Sequence, residues 1–259
     1  MSVLDRFQLD GKTAIVTGGN RGIGNAIAHG LAEAGSDVVI ANRDADSGRE
    51  AASEIAEETG VETLAVSADV SDEDDVREMV EATVDEFGTI DILVNNAGIV
   101  LAEPAREKSA EDFRKTLEIN LTGAFLCSKY AGEEMIASDG GSIINISSMS
   151  AYIANHPQTH VDYQASKGGM EAFKNQLASE WAEYGIRINN INPGYIETDI
   201  IANLLSDRPD LEEAWLDGML QDELGDPDDI APLAVYLASD AASYVTGTSV
   251  IIDGGYTVR

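Results

Sequence analysis

Apolar residues in this chain fall into two alternating patterns: short unbroken runs, and longer stretches where they return every three or four positions. Thr13-Ala-Ile-Val16 is a run of the first kind and predicts a buried strand. From Ile23 to Ala34 apolar side chains occupy 23, 26, 27, 31 and 34, one face of a helix. Gly35 closes that helix and Val38–Ala41 is the next run. The alternation then repeats, predicting helix 46–59, strand 63–66, helix 72–87 and strand 91–94. After a loop containing Pro104, Ser109-Ala-Glu-Asp112 has the form of a helix start, a serine cap with an acid three residues on, and the helix runs to about Ile136. Strand 142–146, a long helix 163–184, strand 187–191, helix 228–238 and strand 249–252 complete the set.

Seven apolar runs separated by helices predict an α/β fold: a seven-stranded parallel sheet covered by helices on both faces, doubly wound (Rossmann) and formed by residues 1–259 as one domain. Such sheets bind ligands at the carboxyl ends of their strands. Residues 196–224 depart from the pattern and read as an insertion over the site. Tyr195, Leu204, Trp215 and Met219, in or beside it, form either a mobile apolar lid or static packing on the core.

Length and composition narrow the field. The 259 residues are 44% hydrophobic, which is ordinary for a globular chain, with no internal repeat. Charge is not ordinary: 47 acidic against 16 basic residues give a net charge of −31. Such a surface repels nucleic acid and anionic membranes, so neither is an expected partner. It also repels itself unless salt screens it, which predicts a halophilic protein adapted to molar salt. The unfolding midpoint is expected to rise between low and molar KCl; a midpoint that stays put removes the idea. Cys127 is the only cysteine, so no intrachain disulfide forms, and its apolar setting predicts an inert thiol. Met1–Asp10 carries three charges and no long apolar run, and no stretch spans a bilayer; a cytoplasmic protein is expected.

The first strand–helix junction reads Thr17-Gly18-Gly-Asn20-Arg21-Gly22-Ile23-Gly24. Glycines there let the backbone approach a pyrophosphate whose charge meets the helix N-terminus. The second strand ends Ala41-Asn42-Arg43, with no acid before Asp44. An acid at that point would take ribose hydroxyls, whereas Arg21 and Arg43 suit a 2′-phosphate. NADP(H) is therefore favoured over NAD(H), with Asp44 counting against it and solvated surface arginines as the other reading.

Tyr163-Gln-Ala-Ser-Lys167 puts a phenol and an ammonium one helical turn apart, where the cation favours the phenolate and proton exchange with an alcohol or carbonyl oxygen. Alone this pair is weak. It follows the glycine turn, Asn95-Asn96-Ala97-Gly98, Asn120-x-x-Gly123 and Ser148, and precedes Pro193-Gly194 and Asp253-Gly254-Gly255. In that order, over essentially the whole chain, the set resembles the short-chain dehydrogenase/reductase family.

The resemblance implies Tyr163 as general acid/base, Lys167 as its pKa-lowering neighbour and ribose ligand, Ser148 as holder of the reacting oxygen, and Asn120 as a proton-relay residue. It places Asp69 and Val70 at the adenine, Asn95, Ala97 and Gly98 along the cofactor, and Pro193, Gly194, Ile196 and Thr198 near the nicotinamide. Ser148 and Tyr163 stand 15 apart, two more than usual for the family, so Ser147 and Ser150 remain alternatives. Within the family, Ser147–Ser150, His156-Pro-Gln158, Glu180-Trp-Ala182 and Pro193–Asp199 are similar to polyol dehydrogenases and ketose reductases. Ser150, Asn155, His156, Gln158 and Tyr195 become candidate substrate residues, Asn155, His156 and Gln158 being equally readable as a polar rim loop. The rivals are a 3-oxoacyl-[acyl-carrier-protein] reductase and a non-catalytic NADP(H)-binding scaffold. The family also implies a homotetramer. His156 and His160 lack the companion ligands of a metal site, and no metal is expected.

Overall fold

The β-branched and aliphatic runs become seven parallel strands: β1 (Thr13–Thr17), β2 (Asp37–Asn42), β3 (Thr63–Ser67), β4 (Ile92–Asn95), β5 (Gly141–Ile146), β6 (Ile186–Pro193) and β7 (Ser249–Ile252). They form one sheet in the order 3-2-1-4-5-6-7. The computed structural model describes residues 2–208, 210–221 and 223–258. Chain direction across the sheet reverses between β1 and β4, which opens a crevice at the carboxyl ends of those strands.

Both faces are apolar, as continuous runs demand. Along β1, Ala14 and Val16 point into one core and Ile15 into the other, all without solvent exposure. The first core is closed by α1 (Gly22–Glu33), α2 (Ala45–Thr59) and α9 (Ala231–Ala238) through Ile27, Leu31, Ile55 and Leu237. The second is closed by α3 (Glu73–Phe87), α5 (Gly123–Ala137) and α6 (Val161–Trp181) through Met79, Leu126, Met135 and Leu177. Cys127 lies in this second core, where burial pushes its thiol up to about 12, so it is inert at neutral pH. No described helix is long and apolar enough to cross a membrane.

Part of the acidic excess starts helices. Asp44 caps α2 by accepting from Asp46 and Ser47 N–H, and Asp72 caps α3 in the same way. Ser109 accepts from Asp112 N–H at the start of α4 (Ala110–Leu117), as its spacing predicts.

Two local departures bear on function. The predicted continuous helix 109–136 is broken by a wide turn over Glu118–Thr122, where Gly123 N–H reaches the carbonyl five residues back, on Glu118. Such an inserted residue rotates the following side chains relative to the helix before it, and such turns are frequent at functional sites. Residues 196–224 are not featureless: they hold α7 (Asp199–Asp207) and α8 (Asp210–Leu216). Leu211, Trp215 and Met219 pack there with Met149 and Tyr195, Leu204 joins their edge, and Trp215 is fully buried.

Candidate active site

Parallel strands deliver all their carboxyl ends to one edge, and the candidate residues collect there. Thr17 ends β1, Asn42 ends β2, Asn95 ends β4, Ser147-Ser148 follow β5 and Pro193 ends β6. The glycine turn is held by a residue to which the spacing assigned no role. Asn96 Nδ2 donates to the carbonyls of Thr17 (2.9 Å) and Gly18 (3.1 Å), while Thr17 Oγ1 accepts from Asn96 N–H (3.0 Å) and Ala97 N–H (3.1 Å). Gly18 and Gly22 have φ of 65° and 54°, and a Cβ on Gly24 would lie 2.3 Å from the Gly18 carbonyl. Arg21 stands at the cap of α1 without a side-chain cap bond, which leaves that end of the helix uncapped, as an anion site requires. Across the turn Gly22 approaches the Thr198 methyl, and Ile196 is buried in a bridge to Gly225.

At the ends of β2 and β3, Ser47 Oγ accepts from Asn20 Nδ2 (3.0 Å) and Asn42 Nδ2 (3.3 Å), tying the turn to α2. Asp44 directs its carboxylate at the α2 N–H groups. Arg43 lies 3.8 Å from Asp69. Burial opposes the Asp69 charge, but hydrogen bonds from Ser71 and the Arg43 guanidinium prevail and lower its pKa. Arg21 is exposed and has no ion-pair partner among the described residues. Val70 is buried against Gly123. Asn95 turns its amide into the sheet, donating to Ser128 Oγ (3.0 Å) and to Asn145 Oδ1 (2.9 Å); Asn145 in turn donates to Asn190 (2.9 Å). The three asparagines are register partners across β4, β5 and β6.

Tyr163 and Lys167 share the inner face of α6. Lys167 Nζ donates to the Ile146 carbonyl at 2.6 Å and stands 5.5 Å from the Tyr163 ring centroid. Burial lowers its pKa to about 8. Tyr163 differs from the sequence expectation: burial raises its pKa, and the Ser148 hydroxyl opposes that only partly. Lys167 sits over the ring, and removing an anionic phenolate from water outweighs its influence. Ser148 Oγ pairs with Ser150 Oγ at 3.0 Å and accepts from Ser150 N–H. Ser147, the other alternative, turns its hydroxyl to the Lys167 carbonyl at 3.4 Å. Asn120, on the wide turn, accepts from Ile99 N–H (2.8 Å) and donates to Ile99 O (3.0 Å) and Ser166 Oγ (3.1 Å).

The candidate substrate residues are bonded to one another. Gln158 Oε1 accepts from Tyr195 OH (2.8 Å) and Trp215 Nε1 (3.2 Å); Asn155 Nδ2 donates to Tyr195 OH (3.2 Å). Tyr195 stacks on Trp215 with ring centroids 4.1 Å apart, and burial raises its pKa. This joins loop 154–160 to the 196–224 segment. His156 is exposed. Sequence spacing gave no sign of the pairing, because its partners lie 37 and 57 residues apart.

Glu171, one turn beyond Lys167, was not foreseen. It accepts from Asn192 Nδ2 (2.7 Å), Ser249 Oγ (2.5 Å) and Tyr152 OH (2.9 Å), and Asn192 Nδ2 also donates to the Ser148 carbonyl (3.0 Å). Burial works against this carboxylate, but the bonds from Asn192, Ser249, Asn190 and Tyr152 overcome it and lower its pKa to about 2. A folded pKa below the ordinary 4.5 means stability that is present above pH 4.5 and lost as pH falls toward 2. The gap in urea midpoint between wild type and Glu171→Gln is expected to be largest at neutral pH and to close through that window. A gap independent of pH would mean the carboxylate charge contributes nothing.

A family model described as enoyl-(acyl carrier protein) reductase matches residues 18–257. An uncharacterised oxidoreductase of Thermotoga maritima is 43% identical, the match covering 97% of this chain and 98% of that one. The galactitol 2-dehydrogenase (L-tagatose-forming) of Cereibacter sphaeroides is 39% identical over 97% of both chains. The D-threitol dehydrogenase of Mycolicibacterium smegmatis is 38% identical over 100% of this chain and 98% of its own. Among solved structures, a short-chain type dehydrogenase/reductase from Mycobacterium marinum superposes with a TM-score of 0.95 at 39% identity, over the full length of both. A gluconate 5-dehydrogenase from Burkholderia cenocepacia, solved with NADP and tartrate, has a TM-score of 0.94 at 34% identity, again over the full length of both.

Proposed function

The chain belongs to the short-chain dehydrogenase/reductase family and is an NAD(P)-dependent oxidoreductase, and from that premise we propose that it interconverts a polyol and a ketose with NADP(H) as the preferred cofactor. The observation that carries the substrate class is the end-to-end likeness to relatives named for galactitol and threitol. The glycine turn fits a dinucleotide: a Cβ at Gly24 would strike backbone, and no side-chain cap hydrogen bond occupies the α1 N-terminus among the described residues. Thr17, Gly18, Asn20, Arg21, Gly22, Ile23 and Gly24 would hold the pyrophosphate side. Asn42, Arg43, Asp69 and Val70 take the adenosine end. Asn95, Ala97, Gly98, Lys167, Pro193, Gly194, Ile196 and Thr198 take the nicotinamide half. When bound, that ring supplies or accepts the hydride.

The side chains of this chain handle the proton. Tyr163 donates to the carbonyl oxygen during reduction and takes a proton from the hydroxyl during oxidation. Ser148 hydrogen-bonds the same oxygen, with its main chain held by Asn192 and Glu171. Lys167 supplies positive charge beneath the phenol, and Asn120 fixes the strand-to-helix loop at Ile99 while serving the proton relay. NADP(H) is supported by the exposed Arg21, which has no ion-pair partner among the described residues, and by Asp44, whose carboxylate is committed to the α2 N-terminus.

The family model's description raises an acyl-carrier-protein substrate as the second reading. Carrier proteins are acidic, and a chain of net charge −31 repels them. Residues 136–140 and 178–182, where α5 and α6 run out before β5 and β6, contain no Lys or Arg to offset that charge. A homotetramer is supported by apolar side chains left exposed beside the two long helices, Phe125 on α5 and Val161 on α6.

The deciding assay is NADPH and NADH oxidation against fructose, sorbose, xylulose and acetoacetyl-thioester, in about 2 M KCl to screen the surface. Rapid NADPH oxidation with a ketose is the expected result. Turnover of the thioester alone would make the second reading correct.

A further inference from the structure

Lys108 and Asp162 pair at 3.1 Å with side chains only 3% and 0% exposed. Arg49, Arg77, Lys129 and Arg208 meet their acids on the surface instead, where such pairs contribute little. Burying both charges carries a large desolvation penalty, and apolar side chains of similar size would often hold a fold as well. What such a pair does best is to keep the elements that carry it in one register.

Asp162 lies in the first turn of α6, immediately before Tyr163, and that helix has no side-chain cap at its start. Its Oδ2 accepts from Lys108 Nζ and, at 2.6 Å, from the hydroxyl of Thr116, a fully buried residue of α4. Burial opposes the Asp162 charge, but the bonds from Thr116 and Lys108 overcome it and lower its pKa, so the carboxylate is ionised at neutral pH. Lys108 Nζ also donates to the Leu101 carbonyl.

Through these bonds the segment leaving β4 is fastened to the start of α6 at every second residue. Ile99 exchanges both main-chain groups with Asn120, which donates to Ser166 Oγ on α6 at 3.1 Å. Leu101 is held by Lys108, and so by Asp162. Glu103 N–H donates to the Thr159 carbonyl at 2.7 Å, and Glu103 bridges His160, whose ring meets that of Tyr163 edge-on. Ile99, Leu101 and Glu103 are partly covered while Gly98, Val100 and Ala102 are exposed, the alternation of an extended strap. Of these three ties the middle one is ionic, and it ends on the residue next to Tyr163.

We propose that Lys108 and Asp162 are positioning residues: the pair pins the first turn of α6 against the strap that continues β4, and so sets where the Tyr163 hydroxyl stands relative to the carboxyl end of that strand. A reacting group misplaced by about 1 Å can lose about 10²-fold in rate. The assignment rests on the acid/base reading of Tyr163 above.

The test is a cycle of Lys108→Met, Asp162→Asn and the double variant. It reads the urea midpoint, the NADPH-binding stoichiometry, and kcat and KM on the carbonyl compound that wild type reduces fastest, with kcat counted per binding-competent molecule. Each single variant leaves one charge buried alone and should lower the midpoint, and the double variant should regain most of it. Rate should not return with stability: kcat of the double variant is expected to stay about tenfold or more below wild type while KM for NADPH moves less than about threefold. Recovery of kcat together with the midpoint overturns the proposal, since the pair then only balances itself.

Thr116 gives a check that leaves both charges in place, should the double variant fail to fold. Thr116→Val is expected to lower kcat severalfold at unchanged KM, and Thr116→Ser, which keeps the hydroxyl, to restore it. A valine variant with wild-type kcat overturns the proposal. In a Tyr163→Phe background the double variant should cost less than about twofold more, because the group it positions is gone. A full further loss there overturns the route through Tyr163. If Tyr163→Phe alone keeps its rate, the acid/base reading itself fails, and this inference with it.

Discussion

Replacing Tyr163 by Phe is expected to lower kcat/KM for ketose reduction about 10³- to 10⁴-fold, at the upper end of what a positioned acid/base supplies. The substitution removes one oxygen from a half-buried ring beside Lys167 and His160, so packing is preserved and NADPH affinity, read by fluorescence titration, should stay within about threefold. The pH dependence has a definite sign. Burial raises the Tyr163 pKa, so at neutral pH the phenol carries its proton and is ready to reduce a carbonyl. Reduction should hold steady through neutrality and decline as the phenol ionises. Oxidation needs the phenolate and should climb with pH. Lys167, with its pKa lowered to about 8, loses its charge over the same alkaline range, so the two groups titrate as a coupled pair and the profile reports both. Oxidation that proves faster at acid than at alkaline pH would exclude Tyr163 as the base. A loss of less than about tenfold in Tyr163→Phe would mean another group carries the proton, Ser148 being nearest to hand.

Sequence pattern carried the sheet because the strands are buried on both faces. Ala14, Ile15 and Val16 have no exposed position that could interrupt their apolar run, and that is why the run is visible. Helix starts were legible where one side chain does the capping, as at Ser109. The wide turn at Glu118–Thr122 was not legible. Its residues, Glu-Ile-Asn-Leu-Thr, keep a helical pattern, and the extra residue is fixed by Asn120 reaching Ile99 in a loop that precedes the helix. The same limit applies to Glu171 and Gln158, whose partners are distant in sequence and lie on strands, loops and the 196–224 segment. Chemistry set by neighbours along one helix, such as Tyr163 and Lys167, was visible as a pairing. The direction in which burial moves the phenol was not, since burial is a property of the whole packed site.

Arg21→Ala/Arg43→Ala should raise KM for NADPH about 10²-fold or more while KM for NADH moves less than about threefold. Each charge-assisted contact to a phosphate is worth about 1.5–3 kcal/mol, roughly one to two decades. NADH lacks the group the two guanidiniums would meet. The single variants need not contribute equally: Arg21 has no ion-pair partner among the described residues, whereas Arg43 already lies near Asp69 and must share its charge. Asp69→Asn separates these effects, because releasing Arg43 should tighten NADPH binding modestly if Arg43 reads the phosphate. The contrast must be measured at the lowest salt at which the protein stays folded. Molar KCl shortens the Debye length to about 3 Å and would flatten the difference between cofactors, whatever the arginines do. At low salt the net charge of −31 repels the extra phosphate of NADPH, so a preference for NADPH there could come only from local positive charge. If the double variant treats NADPH as wild type does, Arg21 and Arg43 are solvated surface residues, and the cofactor choice must be sought at Asn20, Asn42 and Ser47, the polar cluster between the glycine turn and α2.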